Sequence, residues 1–519
     1  MAEKKDLVLA TVPYTDTPIP LYAIAQLKSV AMEAGWTCKA MDFNNEFLVP
    51  INNHRHGSAL VDWFYHETYH PGCEKFILDM IHSMANRILA HKPKMVGLSL
   101  FSYASQIATK YLCLAIRRKD PSVTIVIGGS GCFDNVLGES VYVDAMHQMN
   151  LINHHFTGDA ELAFYDFLKG KHDIIGMDES KWKELSNKDI AEIPFADFDD
   201  YDWTKYRTPV IPMTASRGCV RRCKFCSDIA HWKMFSFRTG QHIFDEMLFQ
   251  AEKYKIKHFA FTDALINGNV REFRNLCGLL SEYNSANPDD KISWESQFIF
   301  RPQKQFKEDE WELLAGSNPT ELFTGIESLD PEVRHDMGKK FNQEDLNFNL
   351  EQCLKHNIHI FGMMIVGYPT EDEHSIQVAK DWLTNNTHFQ PVLEFSFGGT
   401  MAVLPGTYLD NNREEYGIEV FGPPWQMWSS NKSGSTPEKR LQWWRELSGH
   451  AKELGYEIGT AHENESVVHL LSSMDHQKSL EEQPAYKNNR ALDVQNYKDF
   501  HDQLDRLKNE PFNPELLQH

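Results

Sequence analysis

Long hydrophobic runs, an excess of basic residues and paired cysteines are all missing from this chain of 519 residues. No apolar stretch approaches the roughly 20 residues that cross a bilayer, and the first residues lack the apolar core and cleavage site of a signal peptide. We therefore expect a cytoplasmic protein without membrane association. Lysine and arginine number 52 against 73 acidic residues, which argues against a nucleic-acid partner because phosphate binding needs a basic face.

The nine cysteines argue against a disulfide framework, because their number is odd and most are widely separated. Six are isolated, and we expect them to be buried as small apolar residues: Cys38, Cys73, Cys113, Cys132, Cys277 and Cys353. The other three, Cys219, Cys223 and Cys226, lie close together.

Short apolar strands alternate with amphipathic helices over the first third of the chain, which is typical of βαβ units. This pattern predicts an α/β fold that begins with a doubly wound, Rossmann-like domain over residues 1–172. Ligands of such sheets bind at the carboxyl ends of the strands, here the loops 13–20, 99–103 and 128–133. The predicted strands are 6–12, 37–43, 94–100 and 123–127, with helices over 21–34 and 104–118. Residues 173–207 are acidic and weakly periodic, and we interpret them as a surface linker.

The alternation resumes over residues 208–400 with six βα repeats, which predict a partial (β/α)6, TIM-like barrel. Its predicted strands are 209–215, 257–263, 291–297, 320–326, 358–366 and 391–397, and its helices include 243–255, 270–283 and 343–356. Residues 401–519 are predicted to be mostly helical, with one helix over 438–454, and to cap the substrate side.

The cysteine triplet follows the first barrel strand with the spacing C-x3-C-x2-C. This spacing places three thiolates on one tight loop, which suits an iron–sulfur cubane and leaves one iron open. Nearby basic residues, namely Arg217, Arg221, Arg222 and Lys224, favour thiolate formation. Zinc is the alternative metal, although it normally recruits a fourth protein ligand.

At these residues the chain resembles the radical S-adenosylmethionine (SAM) superfamily, whose cysteine loop has an aromatic residue before its last cysteine, here Phe225. The resemblance implies a 4Fe–4S cluster held by Cys219, Cys223 and Cys226. It also implies that the open iron binds SAM, which is cleaved to a 5′-deoxyadenosyl radical.

Five further stretches match the superfamily in order along the barrel. The resemblance implies that Asp263 lies near the SAM amino group, that Glu295 and Gln297 reach the ribose, and that Gly325 and Glu327 belong to the fourth-strand motif. The last two matches are Gly367-Tyr-Pro-Thr-Glu371 and Pro405-Gly-Thr407. Asp263, Glu295 and Glu327 have an alternative interpretation as strand-end carboxylates that cap the next helix.

The domain order resembles the cobalamin-dependent subfamily of these enzymes. That resemblance implies that Ser99 lies beside a corrin, and that Gly128 and Gly129 allow close backbone approach to its nucleotide loop. Gly158-Asp-Ala-Glu161 stands where the subfamily commonly has Gly-Glu-Gly-Glu. The Asp-x-His-x-x-Gly motif that supplies an axial histidine elsewhere is absent, so a scaffold domain without corrin stays open as an alternative.

The resemblance implies a cobalamin-dependent methyltransferase that acts on an unactivated carbon of a small-molecule or peptide substrate. It also implies a reductant such as flavodoxin or ferredoxin. One alternative is a radical SAM cyclase, isomerase or other transferase without cobalamin. A second alternative, from a different class, is an Fe–S electron-transfer or sensor protein, although such a protein needs no ribose-binding strand.

Two other patterns are interpreted as structural. His66-Glu-Thr-Tyr-His70 has the H-E-x-x-H zinc pattern, but Pro71-Gly72 would end the helix that this pattern needs. The aromatic residues of the C-terminal region are expected to pack in a core; they include Trp425, Trp428, Trp443 and Trp444.

Overall fold

The computed structural model describes residues 2–17, 19–68, 70–132, 141–171, 177, 184–228, 232–421 and 425–459. The chain divides into two compact units between Pro212 and Met213, here called unit 1 and unit 2. Within the described ranges, no helix is both long and apolar enough to cross a bilayer.

Unit 1 is built on a five-stranded parallel sheet with the order β2-β1-β3-β4-β5. Its strands are β1 (Leu7–Thr11), β2 (Cys38–Asp42), β3 (Met95–Ser99), β4 (Thr124–Gly128) and β5 (His154–Phe156). The strand order reverses between β1 and β3, so the loops after these two strands open a crevice at the carboxyl edge. This is the edge that the sequence predicts for ligand binding.

Eight helices of unit 1 surround this sheet in the described residues. They are α1 (Tyr22–Glu33), α2 (Phe43–Asn52), α3 (Gly57–His66), α4 (Glu74–Ala90), α5 (Ser105–Lys119), α6 (Val141–Gln148), α7 (Glu161–Leu168) and α8 (Asn187–Glu192). The helix α2 begins at the end of β2, where the Asp42 side chain accepts a hydrogen bond from Asn45 N at 3.2 Å. All five residues of β1 are buried, as expected for a sheet with helices on both faces.

The predicted fold class is confirmed, and the four strands predicted in unit 1 are present with ends that each shift by one residue. The fifth strand, β5, was not predicted because only three residues form it. Such a short segment carries too little periodicity for a sequence pattern.

Residues 184–207, expected to belong to a surface linker, are anchored in unit 1. The Lys28 ammonium on α1 forms ion pairs with Asp197 at 2.7 Å and Asp200 at 2.8 Å, and Phe198 is fully buried. The acidic composition suggested a solvated segment, but here the carboxylates neutralise a buried lysine. Apart from Met177, the residues from 172 to 183 lie outside the described ranges.

Unit 2 is built on a six-stranded sheet with the order β13-β12-β11-β10-β9-β6, in which β9 to β13 pair in parallel. The strands are β6 (Ile211–Met213), β9 (His258–Phe261), β10 (Ser293–Phe298), β11 (Pro319–Glu327), β12 (Ile360–Val366) and β13 (Leu393–Thr400). All six predicted strands are therefore present. Burial alternates along β10, where Trp294, Ser296 and Phe298 are buried and the intervening side chains are half-buried.

The helices of this sheet are α9 (Gly240–Tyr254), α10 (Val270–Ala286), α11 (Glu308–Gly316), α12 (Pro331–Asp336), α13 (Gln343–His356) and α14 (Glu373–Asn385). Side chains cap several of these helices. At the start of α10, for example, the side-chain oxygen of Asn269 accepts hydrogen bonds from Arg271 N and Glu272 N. The predicted helices over 243–255, 270–283 and 343–356 correspond to α9, α10 and α13.

The described part of the C-terminal region, up to residue 459, contains a hairpin and three helices. They are β14 (Ile418–Val420), β15 (Trp428–Ser430), α15 (Tyr408–Asn411), α16 (Arg413–Tyr416) and α17 (Pro437–Leu454). Trp428 and Trp443 are buried, which agrees with their interpretation as core residues. The rest of the region that was predicted to be mostly helical, residues 460–519, lies outside the described ranges.

Candidate functional site

The cysteine loop leaves the carboxyl end of β6 and is closed at its base by a short antiparallel ladder of β7 (Ser216–Arg217) with β8 (Ser236–Phe237). Gly218 precedes the first cysteine with φ +71°. A Cβ atom at this position would lie 2.3 Å from the carbonyl oxygen of Met234. The tight turn into Cys219 therefore requires glycine.

Asp263 fixes the start of the same loop from the end of β9. Its carboxylate accepts hydrogen bonds from Ala215 N at 2.7 Å and Ser216 N at 3.1 Å. Burial raises the pKa of Asp263 to about 6, although these backbone bonds oppose the shift. The side chain thus holds the backbone that leads to the cysteines, rather than capping the helix that follows its own strand.

The three thiols differ in exposure: Cys223 is buried, whereas Cys219 and Cys226 are half-buried. Burial raises the pKa of all three thiols, that of Cys226 to about 12. Thiolate formation at this loop therefore depends on nearby cations and on a bound metal, which deprotonates its thiol ligands.

The cations that act on the thiols are only partly those expected from the sequence. Arg221 interacts electrostatically with Cys219 and Cys223, and its buried Nη2 atom has no hydrogen-bond partner among the described residues. Arg301 also acts on Cys219, and burial lowers its pKa to about 10. Lys339 acts on Cys223 and Cys226.

Two of the expected basic residues have other partners. Lys224 Nζ donates to Asp336 Oδ1 and Tyr416 Oη, both at 2.6 Å, and Arg222 donates to backbone carbonyl groups of exposed segments. Lys224 is therefore engaged by partners outside the cysteine loop, whereas Arg222 stays at the loop and donates to the Cys219 carbonyl at 3.2 Å.

Glu327 ends β11 and forms a buried ion pair with Lys339, with 2.8 Å between Oε1 and Nζ. Glu327 has φ +67°, and the strand register shifts between Gly325 and Glu327, as at a β-bulge beside a functional site. A Cβ atom on Gly325 would lie 2.2 Å from Glu327 Oε1 and 2.8 Å from Lys339 Nζ. Gly325 therefore leaves the space that this ion pair occupies.

Phe225 connects the cysteine loop to this pair. The Lys339 ammonium lies 5.6 Å from the centre of the Phe225 ring, a cation–π arrangement. Lys224 N donates to the Met337 carbonyl at 3.0 Å, so the chain before Lys339 is fastened to the loop. Cys223, Cys226, Phe225, Glu327 and Lys339 therefore form one contiguous site.

Glu371 joins the carboxyl ends of β11 and β12. Its carboxylate accepts from Gly367 N and from Ser328 Oγ, the latter at 3.4 Å. Burial raises the pKa of Glu371 to about 7. The glutamate of the Gly367-to-Glu371 motif therefore connects two neighbouring strand ends by hydrogen bonds.

Glu295 and Gln297 are not brought to the cysteine loop together. Glu295 lies near the amino end of β10, where its Oε2 atom is 3.6 Å from Nε2 of His258, the first residue of β9. Gln297 lies closer to the carboxyl end on the same half-buried face. A ribose contact by Glu295 remains a prediction that this position does not favour.

At the carboxyl edge of unit 1, Gly129 has φ +103° and is required by packing. A Cβ atom there would lie 2.3 Å from the carbonyl oxygen of Leu100, whereas at Gly128 the nearest atom would be 3.6 Å away. Of these two glycines, Gly129 therefore brings the loops after β3 and β4 together. Ser99 ends β3 opposite Gly128 and is half-buried.

Exposed aromatic residues surround this edge. Phe101 and Tyr103, in the loop after β3, are 57% and 53% exposed. The Tyr103 ring lies 5.3 Å from that of Tyr65, and the Tyr65 ring 6.5 Å from that of Tyr14. An exposed apolar patch of this kind is typical of a binding surface.

The H-E-x-x-H pattern does not form a helical metal site. The helix α3 ends at His66, and Glu67 adopts a left-handed conformation. Glu67 instead receives hydrogen bonds from Lys110, both 2.8 Å long. This agrees with the structural interpretation of the pattern.

Sequence reasoning missed Lys339 and Arg301. Both lie in loops remote from the cysteines along the chain, and nothing in their local pattern distinguishes them from surface cations. Only their positions near the thiols in the folded chain identify them.

The radical SAM superfamily model matches residues 213–383 of this chain. Bacteriochlorophyllide d C-12(1)-methyltransferase of Chlorobaculum tepidum is 26% identical over 244 residues, which are 45% of this chain and 49% of that enzyme. Cytidylyl-2-hydroxyethylphosphonate methyltransferase of Streptomyces wedmorensis is 25% identical over 197 residues, which are 35% of each chain. The match thus spans about half of the first relative and about a third of the second.

Among solved structures, the methyltransferase TsrM of Kitasatospora setae, with tryptophan and a SAM analogue bound, superposes with a TM-score of 0.61 at 16% identity. The superposition covers 86% of this chain and 89% of TsrM. The cobalamin-dependent enzyme OxsB superposes with a TM-score of 0.55 at 16% identity, over 80% of this chain and 56% of OxsB. At these identities the likeness establishes the fold. Together with the family match, it shows that residues 213–383 of this chain are a radical SAM domain.

Proposed function

We propose that this protein is a cobalamin-dependent radical SAM methyltransferase that acts on an unactivated carbon. The observation that carries the proposal is the cysteine loop, with several basic side chains acting on its thiols, at the carboxyl edge of a barrel-type sheet. Both curated relatives are methyltransferases, and the fold of TsrM, which binds cobalamin and a 4Fe–4S cluster, extends over both units.

Cys219, Cys223 and Cys226 would hold the 4Fe–4S cluster, and the residues around them fit it. Arg301 is buried, and Arg221 and Lys339 are half-buried. The positive charge of these three side chains would favour deprotonation of the thiols. When bound, the cluster and cobalamin supply the electron for SAM cleavage and the methyl carrier. The chain's own residues orient these groups and exclude water.

The carboxyl edge of unit 1 fits a large, flat ligand. Gly129 brings two loop backbones together, and the exposed rings of Phe101, Tyr103 and Tyr65 offer an apolar face. The Asp-x-His-x-x-Gly motif does not follow β1 in the sequence. The exposed rings of Phe101, Tyr103 and Tyr65 would therefore hold the corrin through apolar contacts.

The substrate would be a small molecule or peptide, and a flavodoxin or ferredoxin would supply electrons. A cytoplasmic location, where such reductants operate, belongs to the same proposal. We also propose that Gln297, Gly325 and Glu327 line the SAM site, since each lies on or near the carboxyl half of a barrel strand.

Anaerobic reconstitution with iron, sulfide and hydroxocobalamin tests the proposal. After desalting, we expect the corrin spectrum beside the broad Fe–S absorption, and 5′-deoxyadenosine after addition of SAM and dithionite. The double variant Phe101→Ala/Tyr103→Ala should lose the corrin and keep the cluster. Phe421→Ala, which removes an aromatic residue 56% exposed in unit 2, should keep both.

Each part of the proposal can fail separately. An Fe–S spectrum without corrin would leave a radical SAM cyclase, isomerase or other transferase. A stable cluster without SAM cleavage would favour an electron-transfer or sensor protein.

A further inference from the structure

We infer that unit 2 contains a second metal site, formed by Glu321, His359 and Glu394, for a divalent transition-metal cation such as Zn²⁺. The site lies at the amino edge of the six-stranded sheet, whereas the cysteine loop leaves the carboxyl end of β6. The inference does not depend on the proposed function.

The ligand geometry is the first argument. One potential ligand atom from each of these residues lies within 4.8 Å of the other two, and within the described residues no other group of three or more His, Cys, Asp or Glu side chains meets this criterion. His359 Nδ1 is 3.1 Å from Glu321 Oε1.

The strand register explains why these residues converge. Leu322 pairs with Ile360, which brings the preceding residues, Glu321 and His359, side by side. Phe361 pairs with Glu394 on the next strand. The three side chains are all half-buried, and they come from β11, the start of β12 and β13. Since the strands themselves position the ligands, the site does not rely on a mobile loop.

The charge balance is the second argument. Two carboxylates face a single imidazole, and within the described ranges neither carboxylate has a lysine or arginine at ion-pair distance. The Glu394 carboxylate accepts no hydrogen bond from the described residues. A bound cation would supply the missing positive charge.

A third carboxylate adds to the negative potential. Glu457 acts electrostatically on both His359 and Glu394, and its carbonyl accepts from Phe395 N at 2.9 Å. Gly459 then passes so close that a Cβ atom would lie 2.9 Å from Glu394 Oε1. The segment after α17 therefore brings both charge and backbone to the site.

The ligand set indicates the class of metal. Imidazole favours zinc, iron and related cations, while carboxylates also accept manganese and magnesium. Three protein ligands leave at least one position for water. Because the ligands come from three neighbouring strands and a metal binds only the folded arrangement, we expect the ion to stabilise this side of the sheet.

Metal analysis of the reconstituted holoprotein tests the inference. After incubation with Zn²⁺ and desalting, zinc and iron are measured in the same sample by mass spectrometry. We expect about one zinc per chain beyond a full iron content. His359→Ala and Glu394→Gln should each reduce the retained zinc at least tenfold without loss of iron. Glu312→Gln, an exposed carboxylate of α11, is the matched control and should keep the zinc.

Thermal unfolding gives a second readout. Zn²⁺ should raise Tm of the wild type and of Glu312→Gln. It should not change Tm of Glu394→Gln, a substitution that preserves the size of the side chain. The inference would be overturned by a wild type that retains no zinc, or by His359→Ala and Glu394→Gln variants that retain as much zinc as the wild type. Zinc gained only as iron is lost would also overturn it, because the ion would then occupy the cysteine loop.

Discussion

The two parallel sheets of this chain differ at their carboxyl edges. In unit 2 the edge carries buried charges that are individually matched, such as Glu327 with Lys339 and Asp263 with two backbone N–H groups. In unit 1 the corresponding edge carries glycine at position 129 and exposed aromatic residues.

This difference indicates two kinds of ligand. Preorganised charges in a site shielded from water suit a small, charged group whose reaction they can direct. Close backbone packing and exposed rings suit the broad, mainly apolar surface of a large ligand. Both sheets use the same parallel architecture, so the side chains at the strand ends, rather than the fold, determine the chemistry.

Removal of one cysteine should have the largest effect, because it abolishes the function of the charged edge completely. In Cys223→Ala we expect no assembled cluster and no 5′-deoxyadenosine above background, measured by iron and sulfide content and by chromatography. Cys277→Ala, which alters a buried cysteine of α10, should behave as the wild type. Turnover in Cys223→Ala similar to that of the wild type would refute the cluster assignment.

The buried ion pair at this edge should be the next most sensitive feature. Lys339→Met leaves Glu327 charged and unpaired in a site where the two side chains are only 13% and 10% exposed. We expect the free energy of unfolding to fall by about 3–5 kcal/mol, measured by urea denaturation.

The control for this variant is Lys355→Met, which removes an exposed partner of Glu308. Surface pairs contribute little to stability, so its unfolding curve should match that of the wild type. If Lys339→Met and Lys355→Met lowered the free energy of unfolding equally, the ion pair of Glu327 and Lys339 would be effectively solvated.

At the edge of unit 1, packing rather than charge should determine the response. Gly129→Ala combines a positive φ with a clash against the Leu100 carbonyl, whereas Gly35→Ala has φ +89° and no atom within 4 Å of the added Cβ. The conformational cost of a positive φ is about 1–3 kcal/mol, and overpacking adds about 1–3 kcal/mol.

Urea denaturation of Gly129→Ala and Gly35→Ala isolates the cost of overpacking, because both variants carry the cost of a positive φ. We expect Gly129→Ala to be less stable than Gly35→Ala and also to lose the corrin in the reconstitution experiment. If both variants lost the same stability and Gly129→Ala retained the corrin, the close approach of the two loops would have no role in binding.

The smallest expected effect is a pH dependence that originates at Glu371. Its pKa is raised from 4.5 to about 7 by burial, so the folded state binds a proton more tightly than the unfolded state. Stability contributed by the protonated form is present at low pH and lost as the pH rises through about 7. The loss should be about 1–3 kcal/mol.

Glu371→Gln resembles the protonated carboxyl group and should remove this pH dependence. The measurement is urea denaturation of the cluster-free protein at pH 5.5, 6.5 and 8, with the exposed Glu351→Gln on α13 as control. Identical pH profiles for the wild type and Glu371→Gln would show that the carboxylate is ionised throughout this range.

The sequence alone determined the fold class, ten of the strands and the cysteine loop. The strands could be predicted because each places apolar residues at regular intervals between turn residues. The cysteine loop could be predicted because its three ligands lie within one short segment, so their spacing is already the geometry that a cluster needs.

Only the tertiary structure revealed the partners of these elements. Lys339 pairs with Glu327 twelve positions earlier, and Asp263 binds backbone groups almost fifty residues before it. The residues Glu321, His359 and Glu394 meet only through the pairing of three strands. Such contacts depend on register and loop path, which local periodicity does not encode, whereas a motif within one loop is fixed by the chain itself.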